Sequence, residues 1–185
     1  MGQKFIKVNS RIVEIRSLKG RDRHEGFVLL HEGLGCVDLW GDFPAKLKER
    51  FGVDVFSYSR FGYGRSSKIP LPRQLDYHTE EAIKHLPEIL KQSRQKKYTL
   101  VGHSDGASIA LIYAGVIRDP KLKALVLLAP HVKAENKTVA RISQVLKEYE
   151  SSNLSEKLRK YHGENTECAF YGWSKSWVDP GFSSW

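Results

Sequence analysis

Gly102-His103-Ser104-Asp105-Gly106 sets a serine between two glycines, each two positions away. A serine in a sharp turn between a strand and a helix presents its hydroxyl above the sheet, where it can attack a carbonyl carbon. Side chains two residues either side would crowd such a turn, and glycine at 102 and 106 removes that clash. The helix N-terminus beside the serine offers backbone N–H groups and a dipole that favour developing negative charge. The chemistry this spacing suggests is nucleophilic acyl transfer. A second glycine-rich segment, His31-Glu32-Gly33-Leu34-Gly35, can supply another N–H donor to an oxyanion; its simpler reading is a turn before a helix near Asp38. A third, Gly62-Tyr63-Gly64-Arg65-Ser66, closes a run that begins at Asp54.

These segments need elements to position them. Tyr98-Thr99-Leu100-Val101 is a short β-prone run before the pentad, and residues 107–114 are small and helix-compatible. Gly26–Leu30 reads as a buried strand after a polar loop from Lys19, and Asp54 leads another strand. Lys4–Val8 and Ile12–Ser17 read as strands joined by a turn at Asn9-Ser10. Asp42–Phe51 carries Phe43, Leu47 and Phe51 at helical spacing and stops at Gly52. A helix is expected from Thr79, kinked or delayed by Pro87, and Lys123–Ala129 reads as a fully apolar strand. Strands that alternate with helices and are apolar throughout predict an α/β fold, a mostly parallel sheet flanked by helices. After Val132 the pattern turns helical and then aromatic, with Phe170, Tyr171, Trp173, Trp177, Phe182 and Trp185. Those rings would either line an apolar pocket or pack this segment onto the core.

With its three glycine loops in this order, the chain resembles the α/β-hydrolase family from about Lys4 to His131. The resemblance implies a hydrolase core over residues 1–131 and the start of a helical cap over 132–185. It makes Ser104 the nucleophile, the N–H of Asp105 one oxyanion donor, and the N–H of Gly33 or Leu34 the other. Leu34 and His131 fall on the substrate-binding side. Two departures stand out: Glu32 replaces a common glycine, and Ser59 replaces a common aspartate.

A serine hydroxyl needs a base, and the base needs an orienting group. The family places them in the order serine, acid, histidine, both after the cap, so the resemblance implies that acid and histidine lie beyond Trp185. Within the chain, His131 follows a core strand on the side of Ser104; a polar residue at the cap hinge is the stronger expectation for it, an improvised base the weaker. His103 is expected to point away, His162 to be solvated, and Asp119 to lie at the opposite edge from Ser104. The Asp105 carboxylate is expected near the pocket, either attracting a cationic substrate group or complementing the helix dipole.

The chain has 185 residues, enough for one domain with a real core, and a net charge of +9. Its basic residues are scattered rather than striped with aromatics, which argues against nucleic acid as a partner. No apolar run is long enough for a membrane span, and the first residues carry no signal-peptide stretch, so a cytoplasmic location is expected. Cys36 and Cys168 do not suggest a disulfide framework. No metal-ligand spacing or phosphate loop appears, so neither metal nor cofactor is expected, and the expected partner is a small-molecule substrate. Two readings follow. One is a serine hydrolase acting on an ester, thioester, lactone or activated amide. The other is a catalytically incomplete form that serves as a binding module or needs a partner chain to complete the triad.

Overall fold

The computed structural model describes residues 4–93 and 95–184; Met1 to Gln3, Arg94 and Trp185 lie outside the described residues. Six strands form one sheet in the order β1-β2-β4-β3-β5-β6. They are β1 (Lys4–Val8), β2 (Arg11–Leu18), β3 (Asp22–Leu30), β4 (Val53–Tyr58), β5 (Lys97–His103) and β6 (Leu122–Leu128). β4, β3, β5 and β6 run parallel, and the β1–β2 hairpin joins antiparallel. Asn9 and Ser10 both take positive φ, the conformation that matches a two-residue hairpin turn to strand twist.

The central strands are apolar throughout because both faces are covered. Val28, Leu30 and Leu100 point to one face, against Leu86, Ile89, Ile109 and Tyr113. Leu29, Val55 and Val101 point to the other, against Phe43 and Leu47 of α1 (Phe43–Phe51). The second helical stretch starts at Tyr77, earlier than the apolar stripe implied: α2 (Tyr77–Glu80), a π turn (Glu81–His85), then α3 (Leu86–Ser93). Pro87 has no N–H to continue an α ladder, and the wide turn before it absorbs that loss. β3 likewise begins at Asp22, within the stretch that reads as a polar loop.

β6 is the edge of the described sheet. Val126 and Leu128 are 42% and 43% exposed, so this strand is less buried than its apolar sequence predicts. After it come α5 (Asn136–Glu148), α6 (Leu154–His162) and α7 (Thr166–Val178). Their aromatics divide between two roles. Phe170 stacks on Tyr149 at 3.6 Å, and Phe182 packs with Tyr77 and Trp177. Trp173 and Trp177 also face the cavity described next. Among the described residues no helix is long and apolar enough to cross a membrane.

Candidate active site

Ser104 lies between β5 and α4 (Asp105–Val116) with φ 51° and ψ −118°, a strained backbone for a non-glycine residue. Its N–H donates to the carbonyl of Leu128 on β6, and its own carbonyl accepts from Ala107 and Ser108. The turn leaves no room for side chains nearby. A Cβ on residue 102 would lie 2.4 Å from the Gly106 carbonyl, and one on residue 106 would lie 2.1 Å from the Leu30 carbonyl. Both obstacles are backbone and do not yield. The glycine spacing therefore reflects contact between the turn, the end of β3 and the loop that follows it.

The Ser104 hydroxyl is 3.4 Å from His131 Nε2, and His131 Nδ1 is 3.0 Å from Glu135 Oε2. The longer of these spacings is common before substrate arrives. Ser108 braces the histidine backbone: its hydroxyl donates to the His131 carbonyl at 2.7 Å and accepts from the His131 N–H at 3.1 Å. The Trp177 ring stands edge-on to the imidazole at 5.0 Å. The hydrogen bond with His131 holds the Glu135 carboxyl below the usual range, the largest influence on it. These groups open into a cavity of about 380 Å³ whose apolar walls include Ile142, Val145, Trp173 and Trp177.

The Asp105 carboxylate is 0% exposed and takes no part in that cavity. Tyr77 donates to it at 2.5 Å, Trp177 Nε1 at 3.3 Å, and His78 and Arg60 stand at 3.4 Å and 3.9 Å. Burial opposes its ionisation, but His78, Arg60 and Tyr77 outweigh burial and hold the carboxyl well below the usual range. The carboxylate faces these partners rather than the cavity. As the first residue of α4 (Asp105–Val116), Asp105 has a backbone N–H with no acceptor within the helix.

Gly33 lies against Trp173; a Cβ there would come within 2.1 Å of the indole nitrogen. Leu34 follows, expected on the substrate-binding side and, through its N–H, as the alternative oxyanion donor to Gly33. Its side chain packs toward Tyr149, Leu158 and Phe170 rather than lining the cavity. Its carbonyl accepts a hydrogen bond from His162 Nε2 at 3.0 Å, while His162 Nδ1 accepts from the Gly64 N–H at 3.0 Å. His162 is thus fully buried, not solvated. Burial, the largest cause, pushes its pKa down to about 4 and keeps the ring neutral.

Arg60 holds the other side of the same loop. It is 1% exposed and donates to the carbonyls of His31 at 2.5 Å and Glu32 at 3.0 Å. The His31 ring is fixed in turn, with Nε2 accepting from the Arg60 N–H and Nδ1 against the Glu32 carbonyl. Both departures from the family pattern are accommodated. Glu32 points to His103, 3.6 Å away at the protein surface. Ser59 donates to the buried Glu14 carboxylate at 2.7 Å and accepts from the Val37 N–H, so β2 supplies an acid where the loop has none. Asp119 accepts from Tyr98 and Tyr113 at the far end of β5. Burial pushes the Cys36 thiol up to about 12, making it a packing residue. Among the described residues, no group of three His, Cys, Asp or Glu side chains could hold a metal ion.

The model of the alpha/beta hydrolase fold family matches residues 27–184. The chain belongs to the alpha/beta hydrolase fold family. Within it, the chain is 35% identical over 114 residues to a Mycoplasma pneumoniae protein named as an esterase/lipase, covering 60% of this chain and 39% of that relative. It is 34% identical over 101 residues to a proline iminopeptidase of Saccharolobus solfataricus, covering 52% of this chain and 30% of the relative. The chain thus spans well under half the length of the curated relatives it matches. Among solved structures, one reported with carboxylesterases of the Thaumarchaeon Nitrososphaera gargenis superposes with a TM-score of 0.72 at 19% identity, over 95% of this chain and 72% of that one. A thioesterase domain from the curacin biosynthetic pathway gives 0.63 at 22% identity, over 95% and 67%.

Sequence reasoning missed Arg60, His162 and Glu135 as parts of the site. Glu135 had a usable signal, its spacing four residues after His131. Arg60 and His162 had none in local pattern, because their partners are far along the chain.

Proposed function

We propose that this protein hydrolyses a small carboxylic ester or thioester through a covalent intermediate on Ser104. One observation carries the reading: the strained Ser104 backbone aims its hydroxyl at His131 Nε2, 3.4 Å away, at the mouth of an apolar cavity. Ser104 Oγ attacks the carbonyl carbon as its proton passes to His131 Nε2. Glu135 accepts the Nδ1–H bond and stabilises the imidazolium. The Asp105 N–H and the N–H of Gly33 or Leu34 hold the oxyanion. The C–O or C–S bond then breaks, and His131 returns the proton to the leaving group. Water, deprotonated by His131, attacks the acyl-serine, releases the acid and restores Ser104. A cavity of about 380 Å³ suits a small molecule rather than a long lipid, being near the lower end of ligand sites at roughly 300–1,000 Å³. The proposal includes a small molecule as the partner and the cytoplasm as the location.

The test is turnover of a short aryl ester by the wild type and by Ser104→Ala. Hydrolysis that disappears in the variant supports the reading. Equal turnover by both removes Ser104 as nucleophile, and no turnover by folded wild type favours a binding module.

A further inference from the structure

The cavity beside Ser104 is apolar on its floor but carries two cations on one wall. Lys137 and Arg141 both line it, one helical turn apart on α5, on the same face as Ile142 and Val145. Neither cation is in an ion pair among the described residues; Arg141 donates to the neutral Gln144 carboxamide at 3.0 Å. The nearest acid along the helix, Glu135, is engaged by His131 and Thr138. The Asp105 carboxylate, which could have reversed the local sign, is sealed behind Tyr77 and Trp177.

We infer that the substrate is a small ester or thioester bearing an ionised carboxylate, its apolar chain against Trp173 and Trp177 and its carboxylate between Lys137 and Arg141. This rests on the reading of the Ser104 cavity as the substrate site. The guanidinium can take a carboxylate with two parallel N–H bonds, and the ammonium adds a point charge. A cationic amine in the same place would meet two like charges with no free acid on the wall. The volume leaves room for a chain of medium length beside the indoles.

The test is binding, so it does not depend on turnover. Ser104→Ala is titrated with octanoate and with 1-octanol at about pH 8, where a carboxylate is fully ionised, following the fluorescence of Trp173 and Trp177. Two exposed charge contacts together are expected to favour octanoate by about tenfold. The preference should shrink as salt rises. Lys137→Gln with Arg141→Gln should bring the octanoate-to-octanol ratio near one, while Lys137→Arg with Arg141→Lys should retain most of it, which separates loss of charge from loss of fold. Equal affinity for both probes in the Ser104→Ala parent would overturn the inference, as would a preference that survives the double glutamine variant. A protein that shows the preference yet hydrolyses no ester would keep this site and lose the catalytic reading; one that hydrolyses neutral esters without the preference would do the reverse.

Discussion

Replacing Arg60 with methionine should both destabilise the fold and disable the site. Arg60 lies between the loop after β3 and the start of α4, bonded to the carbonyls of His31 and Glu32 and 3.9 Å from the Asp105 carboxylate. Methionine keeps much of the apolar stem but removes two charge-assisted hydrogen bonds, worth roughly 1.5–3 kcal/mol each. It also takes the guanidinium from beside a buried carboxylate, a loss of about 3–5 kcal/mol when such a pair is broken. These terms overlap, and a net loss of about 4 kcal/mol is expected. For a chain of this size that lowers Tm by roughly 10 °C. The loop carrying Gly33 loses its anchor, and a misplaced oxyanion donor costs on the order of 10²–10³ in kcat. Arg60→Lys should fare little better, since one ammonium does not span both carbonyls as the guanidinium fork does. Urea melts followed by circular dichroism, with ester turnover on the same samples, measure both effects. An Arg60→Met protein within about 1 kcal/mol of wild type and fully active would refute the claim that this arginine fixes the loop.

His162 should make the fold sensitive to acid. Its folded pKa of about 4 lies below the ordinary 6.5, so the unfolded chain binds the proton first as pH falls. Its contribution is complete above about pH 6.5 and is lost progressively down to about pH 4, at most about 3 kcal/mol. Urea midpoints across that window should fall with pH and fall less in His162→Gln; His31, also buried and lowered mainly by desolvation, adds to the slope in the same direction. Gly106→Ala should cost about 3 kcal/mol or more, since its Cβ would strike backbone at Leu30 and His31; a thermal melt unchanged from wild type would contradict that geometry. His131→Ala should lower kcat by about 10²–10⁴ and Glu135→Gln by less, leaving the melting curves near wild type; full turnover in His131→Ala would mean that another group is the base.

Much of the architecture was legible because it is written in local pattern. The glycines flanking Ser104, the apolar runs of β3 and β5, the Asn9-Ser10 turn and the Phe43–Phe51 helix each depend on neighbours a few residues away. The start of β3 at Asp22 was hidden by its polar residues, and the π turn before Pro87 has no pattern distinct from a helix. The supports of the site were illegible for another reason. His162 bonds Gly64 across 98 residues, and Arg60 bonds Glu32 across 28. A histidine in a polar stretch reads as solvated until the fold closes over it. Asp105 shows the same limit: its helix-start position was plain, but Tyr77 and Trp177, which bury its carboxylate, come from segments on either side of it in sequence.

Ser104 as the nucleophile is tested most directly by covalent labelling of its hydroxyl. The protein is treated with an active-site-directed fluorophosphonate, and the adduct is located by peptide mass spectrometry. One adduct per chain is expected, on Ser104, absent in Ser104→Ala and slowed in His131→Ala. An adduct on another residue, or none on folded protein, would contradict it.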